Sequence, residues 1–224
     1  MKAAATPVKF ERDSEAVVSR KVSPIKLKIR QFLRTSVGPS VARTIVRLNE
    51  WLASIQARTL EKPIARRSGD ENPIEGIAES LIANAIGTER RLLSKSLGEA
   101  LYYSVGFDAN ITETEFRTRL SRYLIRRGAP AFNRRFLSLF FFNFIQFETS
   151  ESFRRLARNS QDFERGLEDL DRVCHRTVAS VWRSFQKTKR PLDLHAAILL
   201  VAQIEQRLRG YQFTEPTNRQ PSYS

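Results

Sequence analysis

The sequence predicts an all-α protein: a helical bundle of about six or seven helices preceded by a basic helical arm. Three observations lead to this. Apolar residues recur three and four positions apart in one stretch after another from residue 41 to about residue 209. Glycine, proline and short polar clusters punctuate those stretches where helices would begin and end. No run shows strand alternation beside a plausible partner strand.

Residues 1–22 have little periodicity and read as a disordered tail. Ser23-Pro24 suits a helix start, with serine as cap and proline at the first helical position. In the following IKLKIRQFLR, Ile25, Leu27 and Ile29 alternate with Lys26, Lys28 and Arg30, which is a strand period. Ile25, Ile29, Phe32 and Leu33 also share a helix face, and the lack of a partner strand favours the helix. After Gly38-Pro39-Ser40, the residues Val41, Ile45, Leu48, Leu52, Ile55 and Thr59 fall at spacings of 4, 3, 4, 3 and 4. This is a seam of about two and a half heptads. It suits a helix packed on its own domain, and also self-association of two copies through residues 41–59. Residues 23–60 are therefore read as a basic helical arm and the polar, Pro- and Gly-containing residues 61–72 as a linker.

The bundle domain is expected over residues 73–210. Asn72-Pro73-Ile74-Glu75 gives a cap, a first-turn proline and a first-turn acid, followed by Ile74, Ile77, Leu81, Ile82 and Ala85 at helical spacing. Gly87-Thr88 interrupts the chain, and Leu92, Leu93, Ser96, Leu97, Ala100 and Leu101 mark a helix ending near Gly106. Thr112 to Glu115 is a capping box opening a helix with Phe116, Leu120, Tyr123 and Leu124 on one side, closed by Gly128 and Pro130. A phenylalanine-rich helix over about 131–148 comes next. The hydroxyl-rich Thr149–Ser152 is expected to cap a short helix to about 158, and Asn159-Ser160 a long one to about 187. The last helix spans about 192–209, and residues 211–224 read as a second disordered tail.

Six of the twelve residues in FLSLFFFNFIQF (136–147) are phenylalanine. Interrupted by Ser138, Asn143 and Gln146, the run is too short to cross a bilayer, which takes about 20 mostly apolar residues. At roughly 100° per residue, Phe136, Leu137, Phe140, Phe141, Phe144 and Phe147 cover half the helix circumference. Ser138, Asn143, Gln146 and Arg135 take the other half, with Leu139 and Phe142 among them. Such a helix is too apolar for a surface and is predicted at the centre of the bundle.

The charge balance points to a partner. There are 38 Lys and Arg against 24 Asp and Glu, a formal charge of +14, and arginine outnumbers lysine 29 to 9. Residues 1–70 carry a net of +9 and the remainder a net of +5. Excess positive charge suits an acidic protein surface or larger assembly, nucleic acid, or the face of an anionic membrane. Arginine's planar fork fits carboxylate and phosphate alike. No acid lies between Glu115 and Glu148, whereas seven arginines do. Arg119, Arg122 and Arg126 project from one side of the 113–127 helix, and Arg134 and Arg135 follow. With Lys26, Lys28, Arg30, Arg43 and Arg47 of the arm, these form the expected partner-binding surface.

Catalytic and metal motifs are sparse. His175 and His195 have no ligand set around them, and Cys174 lies on the apolar stripe of its helix. Phosphate-binding glycine loops, nucleophile elbows and metalloprotease signatures do not occur. A helix-turn-helix around Gly128 would put Arg127 at an apolar position and Pro130 in the turn, so base reading is not expected. The expectation is a non-enzymatic scaffold or adaptor protein without cofactor or metal, docking on an acidic protein assembly through its arm and its arginine-rich helix face. Nucleic-acid binding through phosphate contacts is the alternative. A peripheral membrane role for IKLKIRQFLR is a weaker one. One cysteine and no signal-peptide pattern suggest a cytoplasmic setting.

Overall fold

A helix that is apolar on nearly every side must be surrounded, and this chain is organised around one. The structure, a computed structural model, describes residues 37–57, 73–82, 85–108, 111–156 and 159–210. Among them are seven α-helices and no strand. In chain order they are α1 (Val37–Gln56), α2 (Pro73–Leu81), α3 (Gly87–Val105), α4 (Glu113–Arg127), α5 (Ala129–Leu156), α6 (Ser160–Lys187) and α7 (Leu194–Gly210).

The local sequence explains the boundaries. Thr112 Oγ1 accepts from the Glu115 amide at 3.3 Å at the start of α4, and Asn159 Oδ1 accepts from the Asp162 amide at 2.8 Å at the start of α6. Asp193 caps α7, accepting from the Ala196 amide at 2.8 Å. Gly106 ends α3, its amide donating to the Tyr102 carbonyl at 2.9 Å.

Helix α5 is the axis. Phe132, Phe136, Leu137 and Phe140 are fully buried and Phe141 almost so. It packs most extensively on α3 and α6, with α1 and α4 completing its surroundings. The rings form a connected cluster: Phe140 meets Phe141 edge-on at 5.6 Å and stacks on Phe144 at 6.3 Å between centroids. Such aromatic pairs stabilise by about 0.5–1.5 kcal/mol beyond their buried area.

Three details of α5 differ from the sequence expectation. Ser138 and Asn143, expected on a polar half, are buried and satisfied. Ser138 Oγ donates to the Arg134 carbonyl at 2.9 Å, and Asn143 Nδ2 donates to Ser96 Oγ at 3.1 Å and Glu99 Oε2 at 2.8 Å. Phe147, expected on the buried face, is 50% exposed. Periodicity fixes a direction around the helix, but burial also requires a neighbour at that height. Finally, α5 does not end at 148. Thr149 is buried and its hydroxyl donates back to the Ile145 carbonyl, four residues earlier, so it continues the helix instead of capping a new one.

The larger correction concerns α1, expected as part of an arm outside the bundle. Val41, Ala42, Ile45, Leu48 and Leu52 are fully buried, and α1 packs on α7, α4 and α5. Asn133 of α5 donates its side-chain amide to Asn49 Oδ1 at 3.0 Å. The heptad-like seam over its described part, 41–55, is therefore spent on packing within the chain. A 3–4 spacing announces a seam but not what fills it. The bundle thus begins before residues 61–72, which do not mark its edge. The expected tails at 1–22 and 211–224, the 25–34 stretch and the 61–72 linker lie outside the described residues.

The first turn of α1 has no acid of its own, and two carboxylates from elsewhere approach it. A methyl group placed on Gly38 would come within 3.6 Å of Glu205 Oε1. Burial raises the Glu89 carboxyl above its ordinary range, while a hydrogen bond from Ser40 pulls it down. Glu205 is 5% exposed, and burial pushes its carboxyl up to about 7, with Arg209 acting in the opposite direction.

Two outcomes follow. Phe140→Ala removes a fully buried ring from the cluster and should cost about 3–5 kcal/mol in chemical denaturation; a loss under about 1 kcal/mol would mean that α5 is not the core. Because folding raises the Glu205 pKa from 4.5 to about 7, the folded state holds this proton more tightly than the unfolded chain. Its contribution to stability is complete below about pH 4.5 and is lost as the pH rises through 7. Glu205→Gln should remove that loss, making the variant more stable than the parent at pH 8 by up to about 3 kcal/mol. Parallel stability-versus-pH curves for the two proteins would contradict it.

Candidate functional site

Helix α4 turns Phe116, Leu120 and Leu124 inward, all at 1% exposure or less. Helical geometry then places Arg119, Arg122, Arg126 and Arg127 on its other sides. Arg126 and Arg127 occupy the last turn, where the helix dipole favours cations. One residue, Gly128, separates α4 from α5. Its backbone, at φ 77° and ψ 158°, lies in a region essentially reserved for glycine. This turn brings the first turns of α5 alongside the end of α4.

The result is a cleft of about 830 Å³. Arg119, Arg122, Arg126 and Arg127 of α4 line it, with Ala131, Arg134, Arg135 and Ser138 of α5, Tyr103 and Ser104 of α3, and His175 and Ala179 of α6. Six arginines thus face one concavity.

These arginines fall into two groups. Arg119 is fastened: it pairs with Glu115 one turn earlier and with Asp108 at 3.2 Å, and reaches the Val105 carbonyl at 3.4 Å. The Glu115 hydrogen bond, ahead of the Asp108 charge, raises its pKa further above the ordinary arginine value. Arg135 is fastened as well. Its Nη1 lies 2.8 Å from His175 Nε2, and its guanidinium stacks 4.2 Å from the centre of the Tyr103 ring. A guanidinium can only donate, so His175 Nε2 accepts and the imidazole proton sits on Nδ1. That nitrogen lies 3.3 Å from Asp171 Oδ1, within ion-pair distance but without hydrogen-bond alignment.

The second group is Arg122, Arg126, Arg127 and Arg134. Their side chains make no hydrogen bond or ion pair with any described residue. Some arginines elsewhere are matched: Arg117 with Glu113 at 2.6 Å, Arg172 with Asp169 at 2.8 Å, Arg90 with Glu79. Four unmatched guanidiniums thus come together in one concavity.

Of the residues expected from sequence, Arg119, Arg122, Arg126, Arg134 and Arg135 are brought together in this cleft. Arg43 and Arg47 are exposed on α1 and do not line it. Lys26, Lys28 and Arg30 lie outside the described residues. Sequence reasoning missed Arg127, Tyr103 and His175 as site residues. It weighed His175 only as a metal ligand, and no cluster of three or more potential metal ligands occurs among the described residues. The absence of acids between Glu115 and Glu148 was the signal for Arg127, and Tyr103 had none. Cys174, beside His175 in sequence, is fully buried on α6, and burial drives its thiol far above the ordinary range, with Asp171 adding to the effect.

Gly128 joins the two walls of the cleft, so it can be tested directly. Gly128→Ala should cost about 1–3 kcal/mol, since no L side chain adopts its backbone conformation without strain. Its added methyl would also sit 3.4 Å from Pro130 Cδ. A loss below about 0.5 kcal/mol in chemical denaturation would show that the turn is not held in that conformation.

No protein family, curated protein or solved structure matches this chain.

Proposed function

We propose that this chain is a non-enzymatic helical adaptor that docks an acidic region of a protein partner in its arginine cleft. The observation that carries this reading is the set of four guanidiniums without a carboxylate partner, gathered from two helices into one cleft. Like charges placed together repel, and an anion relieves that repulsion. Arginine receives carboxylates bidentately, which gives orientation as well as attraction. The lining supports binding more than chemistry. Arginine does not change protonation state near neutral pH, and His175 is engaged by Arg135. The buried free thiol of Cys174 agrees with a reducing, cytoplasmic setting. Among the described residues no helix is long and apolar enough to cross a membrane.

Nucleic acid is the competing partner for a chain of charge +14, and one experiment separates the two. The tagged full-length protein is purified from its native source with and without nuclease, beside the triple variant Arg122→Glu, Arg126→Glu, Arg134→Glu. A protein partner that survives nuclease with the parent chain, and is lost with the variant, is the expected result. Circular dichroism should show the variant as helical as the parent. Loss of the partner on nuclease treatment would assign the surface to nucleic acid, and retention by the variant would place docking elsewhere.

A further inference from the structure

The cleft concentrates more charge than an ordinary acidic segment would match. Arg122, Arg126, Arg127 and Arg134 lie around a space of about 830 Å³, which accommodates a few residues of extended chain. Neighbouring glutamates on such a chain bring one negative charge each, spread over several ångströms. A phosphate ester brings about −1.5 to −2 at one point, with three acceptor oxygens. It can take guanidinium forks from two helices at once.

Two further features favour a compact ligand of high charge. The first turn of α5 contains no acid, so the positive end of that helix dipole is not offset by a side chain, and Ala131 within it lines the cleft. On the opposite wall, α6 sets Asp171 3.3 Å from His175 Nδ1, at the edge of the cleft. An extended polyanion following that wall would approach Asp171, whereas a single phosphate seated between α4 and α5 stays on the arginine side. Arg135, held between His175 and Tyr103, forms an ordered boundary to the space.

We propose that the segment docked in the cleft is phosphorylated, with a phosphoserine or phosphothreonine dianion seated between the arginines of α4 and Arg134 of α5. The proposal rests on the cleft being the docking site, and it adds that docking depends on phosphorylation of the partner.

Titration calorimetry with the full-length protein tests it. Three probes are compared at physiological salt: a seven-residue peptide with one central phosphoserine, the same peptide with glutamate at that position, and a twelve-nucleotide single-stranded DNA. The phosphopeptide is expected to bind at least about tenfold more tightly than the glutamate peptide. Arg126→Ala and Arg134→Ala should each weaken it roughly tenfold or more, in line with the loss of a hydrogen bond to a charged group. The double variant Arg43→Ala, Arg47→Ala, outside the cleft, should bind as the parent does. Equal binding of the two peptides, with the same dependence on Arg126 and Arg134, would overturn the phosphate assignment and leave the acidic-docking reading intact. Tighter binding of the oligonucleotide, weakened by the Arg43 and Arg47 changes, would overturn both. Failure of all three probes to bind would overturn the phosphate assignment, while the docking reading would be decided by the triple reversal.

Discussion

Enclosure of α5 is the constraint on which the rest of the structure depends. A helix carrying Phe132, Phe136, Phe140, Phe141 and Phe144 along its length cannot leave a broad side in water, because each ring buries on the order of 150–250 Å². The polar residues within it then have to be met inside the protein. Asn143 finds Ser96 and Glu99 of α3, and Asn133 finds Asn49 of α1. These hydrogen bonds give the packing a register that apolar contacts alone would leave loose. The same demand for cover draws α1 into the bundle.

The arginine cleft sits at the end of this axis, where the enclosing helices change direction. Exposed guanidiniums remain hydrated, so gathering them costs far less than burying them would. Arg119, Arg134 and Arg135 are half-buried, and two of the three have partners: Arg119 has carboxylates, and Arg135 has an imidazole nitrogen and an aromatic face. The four without partners stand on a rigid frame, since α4 is anchored through Phe116, Leu120 and Leu124 and α5 is the core itself. The backbone positions that carry them are thus set by the fold and not by a ligand.

Much of this was legible in the sequence, for identifiable reasons. Caps are local, so Thr112, Asn159 and Gly128 announced the ends of α4 and α6 almost to the residue. The central place of the phenylalanine helix followed from its apolar half together with Leu139 and Phe142 among the polar residues, which left it too apolar for a surface. The membership of α1 was not legible, because Val41, Ile45, Leu48 and Leu52 would look the same against another chain as against α7. The continuity of α5 through Thr149 was hidden because a threonine hydroxyl serves equally as a cap or as a donor to the preceding turn. Within the cleft, the arginines of α4 could be grouped by helical geometry. Tyr103 and His175 could not, since they come from α3 and α6 and only the tertiary packing brings them to Arg135.

Because a single residue joins α4 to α5, the walls of the cleft have little freedom to move apart. One wall is the central helix, so the cleft keeps its shape only while the core is intact. Occupancy and global stability are therefore linked by mass action. A ligand that binds only the assembled cleft stabilises the whole bundle by RT ln(1 + [L]/Kd), about 2.7 kcal/mol at a hundredfold excess over Kd. For a small domain of ordinary stability that is a sizeable fraction of the total. The amount of this protein surviving in a cell, where unfolded chains are continually degraded, would then follow the amount of its partner.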